Sequence, residues 1–326
     1  MTDATHTRRI GASDDAARPG TFPREAPADA VAASGRPASR LPPAIRLMRP
    51  HQWVKNAFIA APLLLTPAPL TAGNLLLVVL GIAAFSLLAS GVYVLNDLAD
   101  READRRHPKK RHRPIASGEI APATALVLTA VLVASGLGAA FALSPGFALI
   151  ASGYFALNVA YSFGLKDASI LDVLIIAAGF MLRVMGGLEL LQVEASVWVL
   201  NMVGLLTLFI AMAKRRDDLV RTLAGDHRRS LAGYSKPFLD TAMAVVLATL
   251  LISYVNYTGD PQVIAELGTD RLYLTIPFVL AGILRYLQIS LVEERSGTPT
   301  TVVLTDRFLI TAVVLWGACF ALLVQW

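Results

Sequence analysis

From residue 53 onward the chain alternates between uncharged apolar runs of about 20 residues and short polar breaks. As a helix rising ~1.5 Å per residue, such a run crosses a hydrocarbon core of roughly 30 Å and satisfies its own backbone hydrogen bonds there. The runs fall near residues 53–70, 73–96, 120–143, 146–164, 168–190, 195–213, 237–257, 270–290 and 306–325. The pattern predicts an all-α polytopic membrane protein with nine transmembrane helices. Residues 1–40 break it: they are rich in Ala, Arg, Pro, Ser, Thr and Asp, with no apolar run to bury. The expected organisation is therefore a disordered tail over 1–43 and a membrane domain over 44–326. The tail lacks the continuous apolar segment of a signal peptide, so the first membrane helix is expected to direct insertion itself.

Composition agrees with the pattern. Of 326 residues, 55% are hydrophobic, and the mean hydropathy of +0.57 excludes an ordinary soluble domain of this size. The single cysteine, Cys319, lies in the last predicted span and can form no internal disulfide.

Charge sets the sidedness. Residues 1–55 carry nine Lys or Arg, the 97–119 loop seven and the 214–236 loop seven, whereas the loops near 71, 144, 191 and 258–269 carry none. Cytoplasmic loops retain positive charge, so the tail and both large loops are expected on the cytoplasmic side. The net charge of +5 then follows from basic residues along the inner leaflet, and no nucleic-acid partner is needed.

One of these loops reads NDLADREADRRHPKKRHRP, residues 96–114. Asn96, Asp97, Asp100 and Asp104 fall within an arc of roughly 100° if the helix continues, so all four could face one point. Like charges gathered there repel, and Mg²⁺ suits the gap, since it takes one or two carboxylates and completes its shell with water and phosphate oxygens. The following bases, among them Arg101, Lys109, Arg111 and Arg113, are of the type that holds the remaining phosphate oxygens. A solvated, mixed-charge loop that only fixes topology is the plainer account of the charges. The helical register of the acids and their place at a membrane-helix end make a more specific pattern.

This stretch resembles the first aspartate-rich motif, Asn-Asp-x-x-Asp-x-x-x-Asp, of the UbiA superfamily of intramembrane prenyltransferases, and the resemblance runs from about residue 44 to 326. It implies nine helices around a central cavity open to the cytoplasmic face. It also implies Asp97, Asp100 and Asp104 as the catalytic and metal-binding residues that hold a diphosphate through Mg²⁺. RPHQWVKN (49–56) and YSFGLKDASILDV (161–173) are similar to a branch that transfers 5-phosphoribose from phosphoribosyl diphosphate to decaprenyl phosphate, in bacterial cell-wall arabinan synthesis. The resemblance thus implies a bacterial plasma-membrane enzyme with those two substrates and the lipid bilayer as partners, with a homo-oligomer left open. There is a departure from the superfamily pattern. The loop KRRDDLVRTLAGDHRRSLAGYSK (214–236) lacks the second Asp-x-x-x-Asp motif of prenyl-diphosphate users. That weakens the alternative of prenyl transfer to an aromatic acceptor.

Other polar residues carry two readings each. Trp53 can be an interfacial anchor and Lys55 a topology charge; the resemblance makes Lys55 and Asn56 cavity groups for a phosphate. Tyr161 and Lys166 close the fourth span. Lys166 is either a snorkelling terminal lysine or a phosphate ligand, and Asp172, an acid inside an apolar run, is expected to pair with Lys166 or a ribose hydroxyl. Arg183, deep in the fifth span, is either a substrate ligand or half of a structural ion pair, and Gly186 and Gly187 beside it allow close packing. Lys214, Arg215 and Arg216 end the sixth span as topology charges or anion ligands, and Arg285 could close the cavity, with no role assigned to it. No P-loop, Rossmann fingerprint or Cys/His metal spacing is present. A transporter using Asp172 and Arg183 is the rival from another class, and it predicts polar residues recurring toward the far side.

Overall fold

Thr71 sets the start of the longest helix: its hydroxyl accepts from the amide of Asn74, and α3 (Ala72–Ala99) then runs for 28 residues. The computed structural model describes residues 41–66, 70–108, 110–194, 196–221, 229–293, 302 and 305–324. Among them there is helix and no strand. Before α3 come α1 (Pro43–Met48), a 3-10 helix over Pro50–Ala60, and α2 (Pro62–Leu65). After it come α4 (Arg101–Arg106), α5 (Pro122–Leu143), α6 (Pro145–Ser162), α7 (Leu171–Leu191), α8 (Val197–Arg221), α9 (Lys236–Gly259), α10 (Pro261–Leu267), α11 (Ile276–Leu291) and α12 (Arg307–Leu323). The tail expected over residues 1–40 lies outside the described residues.

Six helices among the described residues are long and apolar enough to cross a membrane: Ala72–Ala99, Pro122–Leu143, Leu171–Leu191, Val197–Val220, Lys236–Gly259 and Leu272–Leu291. The other three predicted spans take different forms. The last, α12, is apolar but 17 residues long, and the fourth, α6, has 18 residues and spends several of them on Tyr154, Asn158 and Tyr161. The first is no single α-helix. Pro62 has no amide to bond the carbonyl of Phe58, and the 3-10 winding puts Trp53, Asn56 and Ile59 on one face at spacings of three. That face meets the neighbouring helix. Trp53 Nε1 donates to Ser90 at 3.0 Å and Asn56 Nδ2 to Ser86 at 2.9 Å, while Ile59 is fully buried.

Two apolar cores share α7. Ile59, Phe85, Leu88, Phe147, Ala151 and Leu190 fill one, from the 3-10 segment, α3, α6 and α7. Val173, Phe209, Met212, Leu239, Met243 and Leu309 fill the other, from α7, α8, α9 and α12. Close packing around α7 needs its glycines. A Cβ on Gly187 would stand 2.1 Å from the Ile59 carbonyl oxygen, and one on Gly186 2.9 Å from the Phe147 ring. The outward faces stay apolar, with Val79, Leu149, Val245, Val313 and Leu322 all exposed, as lipid-facing surfaces are. The molecule is a multi-pass membrane protein.

Candidate active site

Asp100 caps α3 with φ −87° and ψ 4°, and α4 starts at the next residue. The amides of Asp100 and Asp104 still bond the carbonyls of Asn96 and Asp100, at 2.9 and 2.8 Å. The four-residue spacing therefore survives the junction and keeps the carboxylates at one end of the bundle. Asp97 and Asp104 are buried, at 2% and 3% exposure. A buried carboxylate needs a partner. Arg49 Nη2 donates to Asp97 Oδ1 at 2.5 Å, and Arg113 Nη1 donates to the same oxygen at 2.9 Å and to Asp104 Oδ2 at 2.7 Å. Lys166 Nζ donates to Asp100 Oδ1 at 2.8 Å.

The three acids do not meet at a single point as expected from an unbroken helix. Among the described residues, no three His, Cys, Asp or Glu side chains are placed to hold a metal ion; cations stand between the carboxylates instead. Asp97 and Asp104 nevertheless address one small volume, since both reach a single guanidinium nitrogen. That arrangement fits Mg²⁺, which asks for one or two carboxylates and leaves its other positions to water and phosphate oxygens. Asp100 is turned toward Lys166.

Arg49 was not anticipated from the sequence. It occupies the left-handed region, φ 53° and ψ 61°, ahead of Pro50, a conformation uncommon for a non-glycine residue. The turn from α1 into the 3-10 segment carries its guanidinium onto Asp97 and 5.1 Å from the centre of the Tyr93 ring. Arg46, one turn earlier, bonds Glu119 and holds that carboxyl below its ordinary range, which ties the end of the charged loop to α1.

A second constellation joins α7, α8 and the segment before α9. Asp172 is fully buried. It accepts from Arg215 Nε at 2.6 Å and from the Tyr234 hydroxyl at 2.6 Å, so its partner is Arg215 rather than Lys166 or a ribose hydroxyl as expected. The Tyr234 oxygen in turn accepts the Ile170 amide at 2.6 Å. Ile170 needs that support: a β-branched residue at φ 69°, ψ −51° is strained. Burial first, then the bond to Asp172, push the Tyr234 phenol well above its ordinary value, so it stays a donor. Tyr234 also escaped the sequence reading, because an isolated tyrosine before a helix carries no pattern.

Arg183 is buried in α7, and among the described residues no carboxylate bonds it. Its Nε donates to Asn56 at 2.8 Å, Nη1 to the Gly179 carbonyl at 2.7 Å and Nη2 to the Tyr154 hydroxyl at 2.9 Å. Asn56 thus orients Arg183 and is itself held by Ser86. Arg183 borders a chamber of about 110 Å³ that Lys55, Tyr93, Asn158 and Tyr161 also line. Of the remaining expected ligands, Asn96 and Arg101 are half-buried beside the acids, with Arg101 Nε 3.7 Å from Glu102. Arg111 is exposed and turned toward His112, away from the acids, and Lys109 lies outside the described residues. Lys214 is exposed on the last third of α8, whereas Arg216 is buried and bonds Asp240 of α9, tying the two helices. Arg285 is likewise a tie: it bonds Glu293 and Asp306, joining α11 to the start of α12, and does not close the cavity.

A model of the UbiA prenyltransferase family matches residues 56–310. A decaprenyl-phosphate phosphoribosyltransferase of Corynebacterium glutamicum is 32% identical over 293 residues, covering 86% of this chain and 86% of its own. The Mycobacterium tuberculosis protein of the same description is 32% identical over 292 residues, covering 86% of this chain and 94% of its own. In three dimensions, a UbiA homologue from Archaeoglobus fulgidus bound to GPP and Mg²⁺ matches with a TM-score of 0.64 at 20% identity, over 86% of this chain and 99% of that one.

Proposed function

The chain belongs to the UbiA prenyltransferase family, and from that premise we propose that it transfers 5-phosphoribose from phosphoribosyl diphosphate to decaprenyl phosphate or a similar polyprenyl phosphate. The observation that carries the reading is the ion-paired mouth, in which Asp97, Asp100 and Asp104 are each matched by a basic side chain. Such pairs suit a diphosphate that arrives with a metal ion: the carboxylates would hold the metal, and Arg49, Arg113 and Lys166 would turn to the diphosphate oxygens. The phosphoribosyltransferases of Corynebacterium and Mycobacterium support the choice of substrates.

Asp97 and Asp104 would hold Mg²⁺, which supplies positive charge to the departing diphosphate when bound, while Asp100 positions Lys166 beside them. Arg49, Arg113 and Lys166 bind its oxygens and keep them fixed as negative charge develops. The bond from C1 of the ribose to the diphosphate oxygen breaks, and a bond from C1 to an oxygen of the lipid phosphate forms on the opposite face, inverting C1. The acceptor is already an anion, so no side chain has to remove a proton. The chain's work is to position two anions against each other in a site that its cations neutralise. Tyr234, Asp172 and Arg215 serve at one remove, fixing the turn that follows Lys166.

In this reading the charged loops face the cytoplasm, where the water-soluble donor is available, and the acceptor tail lies along a helix groove in the bilayer. Membranes containing the protein, incubated with ribose-labelled phosphoribosyl diphosphate and decaprenyl phosphate, are expected to place label in the lipid fraction. EDTA should stop the transfer and added Mg²⁺ restore it. Label that stays wholly in the aqueous phase rules the reading out.

A further inference from the structure

The chamber beside Arg183 is cationic and has no acid among the described residues of its lining. Elsewhere at this end of the bundle the bases beside the acids hold carboxylates: Arg49 and Arg113 on Asp97, Lys166 on Asp100, Arg215 on Asp172. Among the described residues Arg183, at 5% exposure, is bonded only to neutral acceptors, the Asn56 amide oxygen, the Gly179 carbonyl and the Tyr154 hydroxyl. Lys55 lines the same chamber, and among the described residues no carboxylate pairs with it. A buried cation without a counter-ion is unfavourable within a membrane protein, so the charge of Arg183, with that of the accessible Lys55 beside it, is left for something that enters from outside.

The rest of the lining says what that is. Tyr93 of α3 and Asn158 and Tyr161 of α6 add neutral hydrogen-bonding groups, and Ile175, Ile176 and Phe180 of α7 complete the lining. Two cations with donors around them suit a tetrahedral dianion better than a flat, singly charged carboxylate. The volume of about 110 Å³ is below the ~150 Å³ that takes one benzene ring. It seats a single phosphoryl group and not a whole sugar diphosphate. Tyr93 connects the chamber to the carboxylate mouth, because Arg49 lies over its ring while holding Asp97.

We propose that this chamber is a phosphate-monoester site that works without a metal ion, adjoining the carboxylate mouth where the diphosphate binds. The proposal deepens the transfer reading and rests on it for the two sources of such a group, the lipid phosphate acceptor and the 5-phosphate of the donor.

The purified full-length protein in detergent micelles provides the test. Binding of farnesyl phosphate and of ribose 5-phosphate is measured in excess EDTA, with benzoate as the carboxylate control. At least one monoester is expected to bind in EDTA, and Lys55→Met to weaken it about tenfold or more. Binding of farnesyl phosphate assigns the chamber to the acceptor; binding of ribose 5-phosphate assigns it to the donor. Lys55 is accessible, so this variant should fold. Arg183→Lys, which keeps the charge and loses the guanidinium fork, is the second variant and is expected to weaken the same ligand. Monoester binding that requires Mg²⁺, that Lys55→Met leaves unchanged, or that benzoate equals would overturn the proposal. Metal-free binding without label transfer removes the transfer reading alone, whereas transfer without metal-free binding removes the chamber alone.

Discussion

Asp97 shows how much a single side chain can be asked to do. Buried and bonded to both Arg49 and Arg113, it is neutralised twice over, and its replacement by a neutral isostere leaves Arg49 without its anion and Arg113 with Asp104 alone. Asp97→Asn is expected to cut label transfer by about 10²–10³-fold, the scale of losing one preorganised electrostatic contact, while the protein still elutes as a single species; near-normal turnover would remove Asp97 from the site. Tyr234→Phe deletes one oxygen that serves two partners, the Ile170 amide and Asp172. Two buried bonds lost in this way cost roughly 1–3 kcal/mol, read as a lower unfolding temperature. Because the folded-state phenol lies above its ordinary value of 10.0, the native state holds that proton more tightly than the unfolded chain does. Its contribution is therefore complete below about pH 10 and lost as pH climbs beyond it. The difference in melting temperature between wild type and Tyr234→Phe should stay constant up to about pH 10 and shrink above it. Asp97, Asp100 and Asp104 were legible in the sequence because acids beside an apolar run stand out. Arg49 and Tyr234 were not, since an arginine before a proline and a lone tyrosine gain meaning only from what they touch.

At the scale of elements, the tight crossing of α7 over the 3-10 segment depends on one missing side chain. Gly187→Ala would push a methyl to 2.1 Å from the Ile59 carbonyl oxygen, a backbone atom that cannot swing aside. Overpacking of this kind is expected to destabilise by about 1–3 kcal/mol, and to disturb Asn56 and hence Arg183. Gly153 of α6 has nothing within 4 Å of a built Cβ, so Gly153→Ala should be neutral or stabilising by up to ~1 kcal/mol through helix propensity. Thermal unfolding of the two variants in the same detergent compares them directly, and equal effects would show that the crossing tolerates a methyl. The sequence located the long spans because twenty apolar residues leave the backbone little alternative to helix. It misread the first one. Hydropathy cannot distinguish an α-helix from a 3-10 segment whose winding is chosen by Pro62 and by the partners of Trp53 and Asn56.

For the molecule as a whole, the outward faces of α3, α6, α9 and α12 are apolar, while the described carboxylate–base pairs of the candidate site gather where α3, α7 and α8 bring Asp97, Asp172 and Arg215. The distribution of Lys and Arg predicts that this end faces the cytoplasm. In a chain whose single Cys319 is replaced by alanine, Ser117→Cys should react with a membrane-impermeant maleimide only in inverted vesicles, and Thr269→Cys only in intact cells. The opposite labelling pattern would reverse the topology.

The sequence by itself determined that this chain lives in a membrane as helices, where its charged loops sit relative to the apolar runs, and which carboxylates cluster at a helix end, because hydropathy and charge act locally on consecutive residues. Only the tertiary structure decided how those charges are matched. Arg49 and Arg113 compete for Asp97, Lys166 chooses Asp100, Asp172 goes to Arg215 and Tyr234, and Arg183 and Lys55 are left facing a chamber with no acid among its described residues. The physical reason is that a buried ion's partner is selected by distance and desolvation among residues far apart in the chain, such as Asn56 and Arg183, and no spacing along the sequence encodes that choice.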